Sequence, residues 1–368
     1  LANCMDAVRR ARVAEQQRLG RRVTLDMNHI WLYIWPVIDA EVDQLTALRR
    51  AFAPLTVGAG VEEVIAQGRI ALGTGEPTAI AARFSYQPGS GVEASVGPPP
   101  KARLEPLDDY AQKVLRSRRR GTVYPYELVQ LLLEGGGTFA EHDLVDGALV
   151  PVERAPGGNS AGVVVGLVST PTARFPEGLR RVVLIGDPTK ALGAVAEAEC
   201  LRIMAALDLA EQQSLPVEWF ALSAGARISM TSGTENMDWV ARTLRRIIEF
   251  TQAGGEINVV VTGITVGAQP YWNAEATMLM HTKGILVMTP DSAMVLTGKA
   301  SLDYSGGVSA EDNFGIGGYD RVMGPNGQAQ YWAPSFADAC RLLLRHYDLT
   351  YVVPGERFPR RRPTSDPA

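Results

Sequence analysis

With 368 residues, 46% hydrophobic and 21% charged, the chain can bury a sizeable core in two domains, and its composition excludes a disordered polymer and a membrane-embedded class. A formal net charge of −4 argues against nucleic acid as the main partner. The three cysteines (Cys4, Cys200, Cys340) are too few and too scattered for a disulfide framework or a zinc site, so no metal and a cytoplasmic location are expected.

Residues 2–20 read as a polar, Arg-rich helix, 23–37 as a strand and 43–52 as a short amphipathic helix. Three more strands are expected at 63–72, 78–86 and 91–96, with "GTGEP" and "QPGSG" as turns. These make a small α+β domain over 1–100, ending at "GPPPK" (97–101), whose consecutive prolines fit neither a ladder nor a helix interior. From 101 to 368 strands and helices alternate. Helices are expected at 107–120 and 126–133, buried strands at 162–169 and 181–185, and a long Ala-rich helix at 192–209. A strand at 217–222, a helix at 237–251, a strand at 257–265, a helix at 272–276, strands through 277–290 and a last helix at 336–349 complete the reading. Near-continuous apolar strands between helices predict an α/β core covered on both faces. Cys200 and Cys340 fall in apolar helical surroundings and are expected to be buried. No apolar stretch approaches the ~20 residues that span a bilayer, and no signal peptide is visible. Both ends of the chain look cut from something longer.

Three loops share one design: "GDPTKALGA" (186–194), "LSAGARIS" (222–229) and "TGITVGAQPYW" (262–272) each leave a buried strand through small residues and open a helix. Small residues let backbone approach a ligand, and a helix N-terminus aims free N–H groups at it, an arrangement suited to a developing oxyanion. Tight strand–helix packing would leave the same trace in any one loop. The spacings exclude a P-loop, a dinucleotide fingerprint and a nucleophile elbow. His29, His142, His281 and His346 lie far apart, and His281 is expected inside a strand as a packing residue. The basic runs Arg116 with Arg118–Arg120, and Arg360–Arg362, read first as solvated surface and second as phosphate contacts.

Longer stretches carry a resemblance. "RRRGTVYPYEL" (118–128) looks like a Gly-Thr-Thr-Tyr-x-Tyr-Asp opening segment. Residues 157–195 follow the order of an Asn-x-x-Gly-Met-Val strand, a Tyr-Pro-x-Gly turn, an apolar strand and an Asp-x-Thr-x-x-x-Gly loop. "SAGARI" (223–228) matches a Ser-Gly-Ala-Arg-Ile element and "GITVGAQPYWNA" (263–274) a Gly-x-x-x-Gly-Gly/Ala loop. "LTGKASLD" (296–303) and "NFGIGGYDRVMGPNG" (313–327) follow in order. Together they resemble the carboxyltransferase component of acyl-CoA carboxylases, nearest the single-chain acetyl-CoA carboxylases. "MNHIWLYIWP" (27–36) and "PTSDPA" (363–368) resemble segments flanking that region, so 1–100 looks like the end of the central region and 101–368 like the N-terminal half of the carboxyltransferase. Gly267-Ala268 and Ala224 depart from the usual glycines, and a short "SMTSGTENM" replaces the long loop of eukaryotic members.

The resemblance implies a crotonase-like ββα superhelix, and transfer of a carboxyl group from carboxybiotin to the α-carbon of an acyl-CoA. Biotin would arrive on a carrier domain, while ATP and Mg would serve only a separate biotin carboxylase domain. The C-terminal half of the carboxyltransferase, missing here, and a homo-oligomer through a carboxyltransferase dimer are the further partners implied, and this chain alone should not turn over. The catalytic positions implied are the backbone N–H groups of Gly267, Ala268, Ala224 and Gly225. Ile228 and Val165 would line the substrate channel, with Gly193 beside them, and Lys190 or Arg227 would touch coenzyme A phosphates, although an ion pair suits Arg227 better. The alternatives are a crotonase-type hydratase or hydrolase, with Glu197 or Glu199 as its acid–base group, and a non-catalytic scaffold half.

Overall fold

The apolar spacing of Leu1, Cys4, Met5 and Val8 puts one stripe on helix α1 (Ala2–Leu19), and that stripe packs on a sheet. The structure, a computed structural model, describes residues 1–19, 27–39, 60–71, 76–87, 91–100, 108–133, 136–227, 229, 233–278, 280–306 and 309–361. The helix expected at 43–52, the tail at 363–368 and the site candidate Ile228 lie outside the described residues. The chain divides into two units, Leu1–Gln112 and Lys113–Ala368.

In the first unit, β1 (Asn28–Tyr33) and β2 (Ile38–Asp39) each run parallel to β3 (Val61–Ala71). Strands β4 (Thr78–Gln87) and β5 (Gly91–Gly97) continue antiparallel in the order β1-β3-β4-β5. Ile30, Val64 and Phe84 stand opposite one another across the first three of these strands and take the α1 stripe. Trp31, on the other face, stacks on Tyr33 with ring centroids 5.7 Å apart.

The second unit opens with α2 (Asp109–Arg118, which begins in the first) and α3 (Pro125–Leu132). The strands β6 (Thr138–Val145), β7 (Ala148–Pro151), β8 (Val163–Thr170), β9 (Leu179–Gly186), β10 (Val217–Ala221) and β11 (Ile257–Val261) belong to an eight-stranded sheet. A short β12 (Ile264–Val266) pairs instead with β14 (Ala293–Val295), while β13 (Leu286–Met288) and β15 (Tyr331–Trp332) extend the main sheet to the order β15-β13-β11-β10-β9-β8-β6-β7. From β9 to β15 the pairing is parallel; β8, β6 and β7 are antiparallel. The register Leu184–Trp219–Val259–Leu286 explains the unbroken apolar runs, because these strands are buried on both faces. Helices α4 (Glu197–Gln213), α5 (Glu235–Gln252) and α6 (Ala268–Ala276) contribute to one core with Cys200, Ile203, Leu207, Ile247 and Trp272. There Trp272 meets Trp219 at 5.9 Å. Short helices α7 (Lys299–Tyr304) and α8 (Asn313–Gly317) precede α9 (Phe336–Thr350), which Ser335 caps by accepting the Asp338 N–H at 3.1 Å. Cys200 and Cys340 are buried as expected, and burial pushes the Cys340 thiol up to about 12. No helix among the described residues is long and apolar enough to cross a membrane.

Three expectations need correction. The helix placed at 192–209 starts at Glu197, because Ala191 and Leu192 are left-handed and residue 196 is extended. The strand placed at 257–265 breaks at Gly263 and changes sheet. The strands placed through 277–290 shrink to β13. Residues 277, 278 and 280–282 follow the end of α6, with Thr277 Oγ1 donating to the Asn273 carbonyl at 2.7 Å, and His281 is exposed in a turn.

Candidate active site

Strands β9, β10 and β11 are neighbours and parallel, so the three small-residue loops leave the same carboxyl edge side by side, where open α/β sheets place their ligands. Backbone bonds lace these loops together. Ala224 N–H donates to Leu192 O at 3.0 Å, Val266 N–H to Ser223 O at 2.9 Å, and Val195 N–H to Gly225 O at 2.9 Å. Arg227 N–H closes back on Val195 O at 2.8 Å, so Val195 and Ala226 form a parallel bridge.

Gly225 (φ +90°) and Gly267 (φ +67°) face each other across the gap. A Cβ on Gly267 would sit 3.4 Å from the Gly225 Cα. Any pair of side chains would push the second and third loops apart. Of the four donors implied by resemblance, three are bound to the scaffold and Ala268 alone keeps an open N–H among the described residues. Gly267 N–H is shared between the Val295 and Leu296 carbonyls at 3.2 Å each, Gly225 N–H donates to Ser223 Oγ at 3.1 Å, and Ala224 N–H is bound to Leu192. The next residue of each turn carries the open group: among the described residues, neither the Ala226 nor the Ala268 N–H has an acceptor. Ala268 is the first residue of α6, where such an N–H has no intrahelical partner.

Val165 does not line a channel. It is 1% exposed and belongs to the core with Cys200 and Leu207. Gly193 is buried beneath the second loop, where a Cβ would fall 2.5 Å from Leu222 O. Lys190 is half-buried on the first loop, with no ion-pair partner among the described residues. Arg227 bonds Glu199 at 3.1 Å. Glu199 is buried and accepts from three segments: its Oε1 takes Gly162 N–H at 2.8 Å as well as Arg227, and its Oε2 takes Ala196 N–H at 3.0 Å.

Sequence reasoning missed the polar chain that holds the first loop. Buried Asp187 accepts the Thr189 N–H at 2.8 Å and the Asn159 side-chain amide at 2.8 Å. The Tyr126 hydroxyl donates to Glu141 at 3.2 Å, and burial, together with that carboxylate, pushes the phenol up to about 12. Arg154 bridges Glu141 and Asp143, and Arg202 joins Asp143 at 2.7 Å. The signal was present as Tyr126, Asn159 and Asp187 within the stretches that carry the resemblance. Burial works to raise the Asp143 pKa, but bonds from Arg154, the Leu144 N–H and Arg202 outweigh it and hold it below its ordinary value. A carboxyl depressed by folding contributes stability above its unfolded pKa and loses it as pH falls through the folded one. Thermal denaturation should therefore show stability declining below about pH 4, and Asp143→Asn should flatten that decline.

Comparison with known proteins gives this edge its context. The Carboxyl transferase domain family matches residues 172–364. Acetyl-CoA carboxylase of Saccharomyces cerevisiae is 26% identical over 167 residues, which cover 39% of this chain and 8% of that protein. Acetyl-CoA carboxylase 1 of Oryza sativa subsp. japonica is 33% identical over 94 residues, covering 25% of this chain and 4% of that protein. The chain thus spans less than a tenth of the length of these relatives. The crystal structure of the P. aeruginosa geranyl-CoA carboxylase beta subunit superposes with a TM-score of 0.50 at 20% identity, covering 64% of this chain and 41% of that one. That likeness is one of fold, the α/β crotonase-like arrangement. Since the family match takes in more than half of the 368 residues and all three loops, the chain belongs to the carboxyl transferase domain family.

Proposed function

We propose that this chain carries the acyl-CoA side of a biotin-dependent acyl-CoA carboxylase, in which a carboxyl group passes to the α-carbon of acetyl-CoA or a longer acyl-CoA. One observation carries the reading: the turns at Gly225 and Gly267 abut and leave the Ala226 and Ala268 N–H groups open on the carboxyl edge of the sheet. Two fixed donors there suit the thioester oxygen of an enolate, each contributing ~3 kcal/mol to lowering the barrier. The loops hold that oxygen in register and exclude water. Carboxybiotin on a carrier domain would supply the CO2 and, after its release, the base for the α-proton. Lys190, with no ion-pair partner among the described residues, would meet a coenzyme A phosphate. The first unit would be the end of a central region, and the second the N-terminal half of the carboxyltransferase. Its C-terminal half, the carrier and a carboxyltransferase dimer would be the partners, in the cytoplasm.

The hydratase reading needs a free carboxylate beside the donors. Both Glu199 oxygens are engaged and Glu197 lies exposed on α4, which supports carboxyl transfer over hydration. The test follows labelled carboxylate in the complete carboxylase. Acyl-CoA should discharge the label from the biotinylated carrier into an acyl-CoA product. A chain that binds acyl-CoA in calorimetry but only hydrates or hydrolyses it would overturn the reading, and one that binds none would be a scaffold.

A further inference from the structure

Glu199 is a buried carboxylate that the proposed chemistry does not use, and its three donors come from three parts of the chain. Gly162 enters β8, Ala196 precedes α4, and Arg227 follows Ala226 in the second loop. A glutamine would offer one acceptor oxygen and turn an amide N–H toward at least one of these donors, so the position suits a carboxylate. A buried donor left unmet loses its hydration with nothing in return.

These contacts bracket Ala226. In the parallel bridge, Val195 bonds the residues on either side of Ala226, so the Ala226 N–H points away from Val195 and outward from the pair. One end of the bracket is fixed through Ala196, next to Val195. The other is fixed through the Arg227 side chain. Glu199 holds both. We propose that Glu199 is a positioning residue that, through Arg227, sets the direction of the Ala226 N–H toward the acyl-CoA oxygen. This rests on the carboxyltransferase reading, in which that N–H is a donor.

In the complete carboxylase, Glu199→Gln and Arg227→Met should each lower kcat for carboxyl transfer about ten- to a hundredfold, the penalty of a donor displaced by a fraction of an ångström. KM for acyl-CoA should stay within about threefold, because the interaction acts in the transition state. Arg227→Lys should restore much of kcat, and the double variant should be no worse than either single one, as expected of one unit. Arg227 is partly solvent-exposed, so its substitution carries the test should Glu199→Gln fail to fold. Amide exchange across 223–229 should accelerate in both variants, whatever the activity. Unchanged exchange overturns the proposal; so do unchanged kcat, additive losses, or a rise in KM at constant kcat. A wild-type enzyme that transfers no carboxyl group would instead sink the functional reading, with exchange still reporting on Glu199.

Discussion

Gly267→Ala in the complete carboxylase should abolish carboxyl transfer while biotin carboxylation of the carrier continues. Gly267 holds φ +67° and ψ −118°, a backbone state that residues with a side chain reach only at a cost of about 1–3 kcal/mol. Its new Cβ would meet the Gly225 Cα at 3.4 Å, tighter than ordinary contact, so relaxation must move one turn off the other. Either movement takes the Ala268 or the Ala226 N–H from its place, and loss of one such donor costs about 10²–10³ in kcat. Ala268→Pro separates donor from scaffold. Proline is tolerated at the first position of a helix, where its missing N–H breaks no ladder bond. That variant should keep its melting temperature and bind acyl-CoA, yet lose about 10²–10³ in transfer. Steady-state transfer and carrier-labelling assays on both variants check this. Normal transfer by Ala268→Pro would remove Ala268 from the donor pair.

How far the sequence spoke depends on the kind of signal. The parallel strands were legible because burial on both faces leaves continuous runs such as "RVVLI" and "INVVV", and the small-residue loops were legible because close backbone approach excludes side chains. Which N–H groups stay open was not legible. That depends on where the Leu192, Val295 and Leu296 carbonyls land, a matter of tertiary placement at long sequence separation. Ala268 keeps the open N–H that the resemblance implied, whereas Gly267, Ala224 and Gly225 serve the scaffold and Ala226 stands in for the pair in the second loop. Val165 shows the opposite limit. It sits near the start of a strand that begins beside the carboxyl end of β9, but alternation turns its side chain into the core. The β6–β7 hairpin was missed although Asp146-Gly147 is a strong turn signal, with both residues at positive φ. His281 was misplaced because "TMLMHT" has strand-like composition, whereas the Thr277 hydroxyl returns to the Asn273 carbonyl of α6 and the Thr282 hydroxyl to the Met278 carbonyl beyond it.

The largest stability effect should come from the opposite face of the sheet. Arg181 on β9 and Glu218 on β10 pair at 2.8 Å with both side chains 1% exposed, and Arg181 also donates to Thr170 Oγ1 and to Leu179 O. Helix α9 shares this environment. Burial, with the Glu218 and Glu256 carboxylates nearby, drives the Tyr347 phenol well above its ordinary value. Arg181→Met leaves Glu218 buried without its partner and should destabilise the chain by about 3–5 kcal/mol, because an uncompensated buried charge costs more than the pair contributes. At roughly 2–4 °C per kcal/mol for a unit of this size, the melting temperature should fall by about 6–20 °C. Arg181→Met combined with Glu218→Leu should recover most of that loss, since apolar residues of similar volume can replace a buried pair at little cost. Arg181 and Glu218 lie toward the amino-terminal ends of strands whose carboxyl ends carry the 187–194 and 222–229 loops. Transfer activity per folded molecule should therefore be unchanged in the double variant. Chemical denaturation beside the transfer assay resolves the two quantities, and a double variant as unstable as the single one would mean that the arginine's bonds to Thr170 and Leu179, rather than charge pairing, hold β9 in place.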